Sequence, residues 1–257
     1  MSHAVRDGAR RVENVATKLS VNLNKVASLR NMREVGIPDV GRCARICLAA
    51  GAHGITLHPR PDQRHVRPND IVDVARVLAE YPGAELNIEG NPFHGLVLHA
   101  ETVRPTQCTL VPDEVGQSTS DHGWNFVESG ARLRPVIARL HALGSRVSLF
   151  VDAVPAALVA ARDLGADRVE LYTEPFAAAF ARGVHAEVLA SFRESALAAE
   201  RAGLGVNAGH DLNLDNLGPF LAAVPRVLEV SIGHALVADA LEFGLAETVT
   251  RYLARIA

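Results

Sequence analysis

The sequence predicts a (β/α)8 barrel, a closed ring of eight parallel strands wrapped by helices. Three observations predict it. Short apolar, β-rich runs alternate with longer helical stretches along the whole chain, the pattern of parallel strands joined by crossover helices. Eight such strands occur with none to spare, and 257 residues is a common length for one barrel. The segment after the first strand, Asn22-Leu23-Asn24-Lys25, also lacks the glycine fingerprint of a doubly wound open sheet.

The first strand, predicted over Leu19–Asn24, follows a polar extension, residues 1–17, that mixes Arg with Asp and Glu. The second spans Gly54–His58 and leads to a helix over Asn69–Glu80. The third and fourth cover Glu85–Glu89 and Gln107–Val111. The longest connection, Pro112–Trp124, is rich in Asp, Ser, Thr and Gly, and its length is that of a lid or binding loop. A helix over Phe126–Leu143 precedes the fifth strand, Arg146–Asp152, and another over Pro155–Leu164 precedes the sixth, Arg168–Thr173. A helix over Val184–Ala202 leads to the seventh strand, Gly205–Ala208, then the eighth, Val227–Ile232, and a last helix from about Ala235 to Ile256. Several helices end in the same way, at Ala50-Gly51-Ala52, Leu143-Gly144, Leu164-Gly165-Ala166 and Ala202-Gly203, because glycine accepts the left-handed backbone just past a helix end. No linker interrupts the pattern, so residues 18–257 read as one barrel domain.

Composition narrows the function classes. With 48% hydrophobic and 21% charged residues, a chain of this size buries a large core without metal or disulfide support. A net charge of −3 gives no basic excess and no reason to expect a nucleic-acid partner. Three cysteines, Cys43, Cys47 and Cys108, are odd in number and lack CxxC spacing, which argues against a disulfide framework or zinc ribbon; they read as small core residues. No apolar run reaches membrane-spanning length, and the first 17 residues lack the apolar stretch of a signal peptide. A cytoplasmic protein with no membrane partner is expected.

Barrel enzymes carry their chemistry at the C-terminal ends of the strands. Here those ends hold Asn22, Asn24 and Lys25; His58, then Arg60, Arg64, His65 and Arg67; Glu89; Thr119 in the long loop; Asp152; Glu170; His210 and Asp211; and Gly233 with His234. One strand-end histidine is weak evidence, but four of the 11 histidines and two carboxylates converging on one rim favour a catalytic site. His and Glu are the usual general acids and bases, which points to proton transfer. No metal is expected, because Asn22 and Asn24 stand where metal-dependent barrel hydrolases carry a His-x-His pair. Arg60 beside His65 suits phosphate oxygens, whereas Arg64 and Arg67 read as a solvated charged surface. Gly209-His210 and Gly233-His234 each lead toward a helix, the usual barrel site for a second phosphate.

The stretch Asn22-Leu23-Asn24-Lys25-Val26-Ala27-Ser28-Leu29-Arg30-Asn31-Met32-Arg33 resembles the opening motif of the pyridoxine 5′-phosphate synthase family. Gly54–Arg60, Arg64-His65, Asn87-Ile88-Glu89, Leu110-Val111-Pro112, Val147–Asp152, Val206–His210 and Ile232–Ala235 follow in that family's order, so the resemblance covers residues 18 to 257. It implies a (β/α)8 barrel with extra helices, assembled as a homo-octamer, that needs no metal or organic cofactor. The implied reaction joins 1-deoxy-D-xylulose 5-phosphate to 3-amino-2-oxopropyl phosphate, giving pyridoxine 5′-phosphate, inorganic phosphate and water. By motif, His58 and Glu89 correspond to proton acceptors, His210 to a proton donor, and Glu170 to a carboxylate that stabilises charge in the transition state. Arg60, His65 and Thr119 correspond to contacts with the deoxyxylulose phosphate. Asn22, Arg33, Gly233 and His234 correspond to contacts with the amino-ketone phosphate.

Two positions depart from the pattern. Many members have Asp-His where this chain has Asn24-Lys25, which keeps a contact role and weakens an acid–base one. Asp211 replaces a common Gly; its side chain is expected to turn away or cap the next helix, leaving its backbone N–H for substrate. Two other readings remain open at this point. A Schiff-base aldolase would need a desolvated strand-end lysine, for which Lys25 is the candidate. A non-catalytic phospho-ligand sensor on the same scaffold is the other.

Overall fold

The computed structural model describes residues 16–257, so most of the polar extension assigned to residues 1–17 lies outside the described residues. The strands are β1 (Lys18–Asn22), β2 (Gly54–Leu57), β3 (Glu85–Gly90), β4 (Gln107–Leu110), β5 (Arg146–Val151), β6 (Arg168–Tyr172), β7 (Gly205–Gly209) and β8 (Val227–Ile232). Each pairs in parallel with its neighbours in sequence, and β8 returns to β1 with Leu19 opposite Val230, closing the barrel. The outer layer holds α1 (Asn24–Asn31), α2 (Val40–Ala49), α3 (Pro68–Leu78), α4 (Leu96–Val103), α5 (Phe126–Ala142) and α6 (Pro155–Asp163). It continues through α7 (Glu174–Ala181), α8 (Ala186–Arg201), α9 (Leu217–Ala223), α10 (His234–Phe243) and α11 (Leu245–Ile256).

Strand positions agree with the sequence reading to within two residues, and the differences have local causes. Asn24 and Lys25 do not extend the first strand: the side chain of Asn22 accepts from the Asn24 backbone N–H at 3.0 Å, turning the chain into α1. The final helix is two helices, because Gly244 sits at φ 78°, ψ 149° between α10 and α11. α7 is a further helix between the sixth strand and the helix predicted from Val184, and its Pro175 occupies the first turn, where proline is tolerated. The helix-end glycines Gly51, Gly144, Gly165 and Gly203 all have positive φ.

The hydrophobic core lies between barrel and helices, not inside the barrel. Leu19, Val21, Ile55, Leu57, Ile88, Leu110, Val147, Leu149, Val169, Leu171, Val230 and Ile232 are fully or almost fully buried there. The alternate positions point to the barrel axis, as strand geometry requires, and most of them are polar, with Phe150 and Tyr172 at the mouth forming a small separate apolar cluster with Val111. Ser20 Oγ contacts Thr56 Oγ1 at 2.7 Å, and Thr109 Oγ1 donates to Asn87 Oδ1 at 3.1 Å. At the lower end Gln107 Nε2 donates to Glu229 Oε1 at 3.1 Å, while Glu85 is paired with both Lys18 and Arg146. Pairing of this kind offsets the cost of taking charge out of water. The cysteines fit the core reading in part: Cys47 and Cys108 are buried, whereas Cys43 is half-buried.

Candidate active site

The mouth of the barrel opens into a cavity of about 430 Å³ at the C-terminal ends of the strands. It gathers Asn22, Asn24, Lys25, His58, Arg60, His65, Glu89, Thr119, Glu170, His210, Asp211, Gly233 and His234, all named above from strand ends. Arg64 also lines it, held to Asp62 at 2.7 Å, so the view of Arg64 as purely solvated needs correcting; Arg67 is exposed at the start of α3. Arg33 is exposed beyond the end of α1 and does not line this cavity.

At the floor stands Glu89, the last inward side chain of β3. It is 8% exposed and receives only long hydrogen bonds, from Asn22 Nδ2 at 3.4 Å, Ser231 Oγ at 3.4 Å and Asn87 Nδ2 at 3.5 Å. Burial with such weak compensation pushes its carboxyl up to about 7. Glu170, inward on β6, is 3% exposed and its Oε2 has no hydrogen-bond partner. Burial, then the nearby charges of Glu89 and Glu229, hold its carboxyl well above the usual range. A Cβ at residue 209 would stand 2.4 Å from Glu170 Oε1, so only glycine fits beside it on β7.

His58 follows β2. Its backbone N–H donates to Asn24 Oδ1 at 2.9 Å, so the residue that departs from the family pattern serves as an acceptor, a task asparagine performs as well as aspartate. The imidazole is bracketed by two carboxylates, with Nδ1 3.9 Å from Glu89 and Nε2 3.6 Å from Asp113. Desolvation, with the Arg60 guanidinium next in weight, holds it well below the usual histidine range, hence neutral. His65 Nδ1 accepts from the Val66 backbone N–H at 3.0 Å, which leaves Nε2 as the proton-bearing donor; burial lowers this ring to about 4.

His210 and Asp211 sit consecutively in the left-handed region, at φ 86° and 56°. Strain of this kind at non-glycine residues clusters at functional sites. It is held by Thr173, whose hydroxyl donates to the carbonyls of Gly209, at 2.7 Å, and His210. The His210 ring stacks edge-on against Tyr172, centroids 5.2 Å apart. Asp211 does not cap the next helix: α9 begins after Asn216, whose side-chain amide donates to the Asp211 carbonyl at 3.1 Å. The Asp211 carboxylate lies 4.0 Å from His210 Nδ1 and faces the cavity.

Two features escaped the sequence reading. Asp113, the first residue after Pro112, is buried and ion-paired with Arg60. Arg30 is buried against Asp70, and its Nη2 donates to the His65 carbonyl at 3.2 Å, so α1 clamps the loop that carries Arg60 and His65. The signal for Asp113 was its place at the root of the longest loop; Arg30 gave none, because an arginine on a short helix reads as solvated.

A family model described as "Pyridoxal phosphate biosynthesis protein PdxJ" matches residues 19–257. The chain belongs to the PdxJ family. It is 60% identical over 248 residues to the pyridoxine 5′-phosphate synthase of Albidiferax ferrireducens, covering 95% of this chain and 98% of that protein. It is 56% identical over 250 residues to the pyridoxine 5′-phosphate synthase of Xanthomonas campestris, covering 95% and 97%. Among solved structures it resembles Mycobacterium tuberculosis tryptophan synthase, with a TM-score of 0.64, 13% identity and 95% of each chain covered. It also resembles the Amycolatopsis orientalis BexX/CysO complex, with a TM-score of 0.60, 16% identity and 96% and 90% covered. At such identities these two speak for the fold alone.

Within this PdxJ-family barrel, Lys25 is exposed on the rim, one residue into α1, rather than desolvated as a Schiff-base lysine must be. The other lysine, Lys18, is paired with Glu85 at the opposite end of the barrel. Among the described residues no group of three or more His, Cys, Asp or Glu side chains is arranged to hold a metal ion. None of the described helices is long and apolar enough to cross a membrane.

Proposed function

We propose that this barrel acts as a pyridoxine 5′-phosphate synthase, condensing 1-deoxy-D-xylulose 5-phosphate with 3-amino-2-oxopropyl phosphate to give pyridoxine 5′-phosphate, inorganic phosphate and water. The observation that carries the reading is the floor of the cavity: a neutral imidazole, His58, facing a carboxyl, Glu89, that titrates near 7, with anion-binding groups on either side. A base poised near the working pH accepts and returns protons with least cost. His58 and Glu89 are therefore assigned as proton acceptors around an imine formed between the two substrates, and His210 as the proton donor. Glu170, held protonated by burial, stabilises developing negative charge by donating a hydrogen bond.

Arg60, His65 and Thr119 are assigned to the deoxyxylulose phosphate. Asn22, Gly233 and His234 are assigned to the amino-ketone phosphate, where α10 starts at His234 and its first backbone N–H groups are free for an anion. Asn24, Lys25 and Asp211 contact substrate from the rim. Arg33 stands outside the cavity of one chain, so its contact with the amino-ketone phosphate is assigned to the assembled protein. The surface around it is apolar for a free face, with Leu29, Met32, Val35, Ile37 and Leu241 all more than half exposed. That supports self-association, for which the homo-octamer implied by the family is the proposed state, in the cytoplasm.

The test is incubation of the purified protein with both phosphorylated substrates, with and without a chelator. Appearance of pyridoxine 5′-phosphate with equimolar free phosphate, unaffected by EDTA, is expected; absence of the ring product would overturn the reading.

A further inference from the structure

We propose that Asp113 is a positioning residue that ties the guanidinium of Arg60 to the imidazole of His58, so that an anion seated on Arg60 redirects Asp113 to the base. The inference rests on the reading of Arg60 as an anion contact and His58 as a proton acceptor.

Asp113 is anchored where the loop leaves β4: Asn91 Nδ2 donates to its backbone carbonyl at 3.0 Å. Its side chain is almost wholly buried, and one oxygen carries all of its contacts. That Oδ2 is ion-paired with Arg60 Nη2, accepts from Ser120 Oγ at 2.8 Å, and lies 3.6 Å from His58 Nε2, beyond normal hydrogen-bond length. Oδ1 is buried with no partner. The second arm of Arg60, Nη1, donates to the Gln117 carbonyl of the same loop at 3.0 Å. The loop thus holds both arms of the guanidinium, Nη1 through the Gln117 carbonyl and Nη2 through Asp113, which itself does not line the cavity.

A phosphate arriving at Arg60 competes for that guanidinium. Two anions sharing one cation each hold it less strongly, and a buried carboxylate losing its partner must find another donor. The nearest remaining group able to donate from a ring nitrogen is His58 Nε2. Closing 3.6 Å to roughly 2.8 Å completes that hydrogen bond. It fixes the proton on Nε2 and leaves Nδ1, toward Glu89, as the accepting nitrogen. The charged and titratable groups facing His58 are Arg60, Arg64 and His65 from its own loop, Glu89 from β3, Asp113 after β4, and His210 after β7. Anion binding cancels the nearest cation of this set and strengthens the nearest carboxylate. Both changes raise the basicity of His58 only when a phosphate is in place.

The test uses inorganic phosphate as the probe and NMR titration of isotope-labelled histidines in the whole protein, with the His58 signal assigned by its loss in His58→Asn. Saturating phosphate is expected to raise the His58 pKa by about one pH unit in the wild type. In Asp113→Asn the rise should fall to less than half. Arg60→Gln provides an arm that does not depend on the loop surviving the Asp113 change: His58 should titrate high without phosphate and ignore its addition. A wild-type His58 unmoved by phosphate, or a full response in Asp113→Asn, overturns the coupling. Turnover of the two substrates by the same wild-type preparation is scored separately. Its absence would remove the synthase reading, while the phosphate response of His58 stands or falls by itself.

Discussion

Replacing Glu89 with glutamine should make the protein more stable and far less active, and the size of the first effect follows from the site. The Glu89 carboxyl is raised from an ordinary 4.5 to about 7, chiefly by burial. The unfolded chain gives up that proton near 4.5 and the folded chain near 7. Between these values the folded state binds more protons, so its stability falls as pH rises. Above pH 7 the whole penalty is present, about 3 kcal/mol at 1.4 kcal/mol per pH unit. Glutamine is nearly isosteric and carries no charge. The hydrogen bonds it disturbs, from Asn22, Asn87 and Ser231, are all 3.4–3.5 Å long and lose little. The expected result is a Tm for Glu89→Gln that matches the wild type near pH 4.5 and exceeds it by several degrees at pH 8, at about 2–4 °C per kcal/mol. The same variant should lose about two to four orders of magnitude in kcat, the usual worth of a general base. Thermal unfolding of both proteins from pH 4.5 to 9, with steady-state kinetics at pH 8, decides the matter. A Tm difference that does not change with pH would refute the desolvated-carboxyl argument, and a wild-type rate would remove Glu89 from the mechanism.

Gly209→Ala places a Cβ 2.4 Å from Glu170 Oε1 and should cost about 1–3 kcal/mol while displacing the Glu170 carboxyl, so kcat falls with it; unchanged urea unfolding and rate would contradict the packing account. Asp70→Asn breaks the buried pair with Arg30 and should destabilise the protein by about 3 kcal/mol in denaturant titration, while raising KM for the deoxyxylulose phosphate because the loop bearing His65 loosens. Lys25→Arg keeps a charge on the exposed rim and should retain partial kcat with a raised KM, and borohydride should trap no substrate on Lys25. A collapse of kcat in folded Lys25→Arg, with borohydride inactivating the wild type, would restore the aldolase reading.

The sequence by itself determined the barrel and most of its rim. Eight strands separated by glycine-ended helices leave few topologies, and a strand's last inward residue, with the residue just past the strand end, must lie at the mouth of a closed parallel barrel. That is why Asn22, His58, Glu89, Glu170, His210 and Gly233 are legible in the sequence as rim residues. The polar interior is also written there, in alternations such as Glu85-Asn87-Glu89 and Gln107-Thr109. Tertiary structure alone decided the rest. The ion pair of Asp113 with Arg60 and the clamp of Arg30 on Asp70 join residues far apart in the chain, and no local pattern encodes such a partner. Nor does sequence spacing state how dry a carboxyl is. Glu85 and Glu89 lie four residues apart on one strand, yet Glu85 meets Lys18 and Arg146 and is held below the usual carboxylate range, while Glu89 meets only weak donors and is raised to about 7. The difference is desolvation set against the charges within reach, and both are fixed only when the eight strands close on one another.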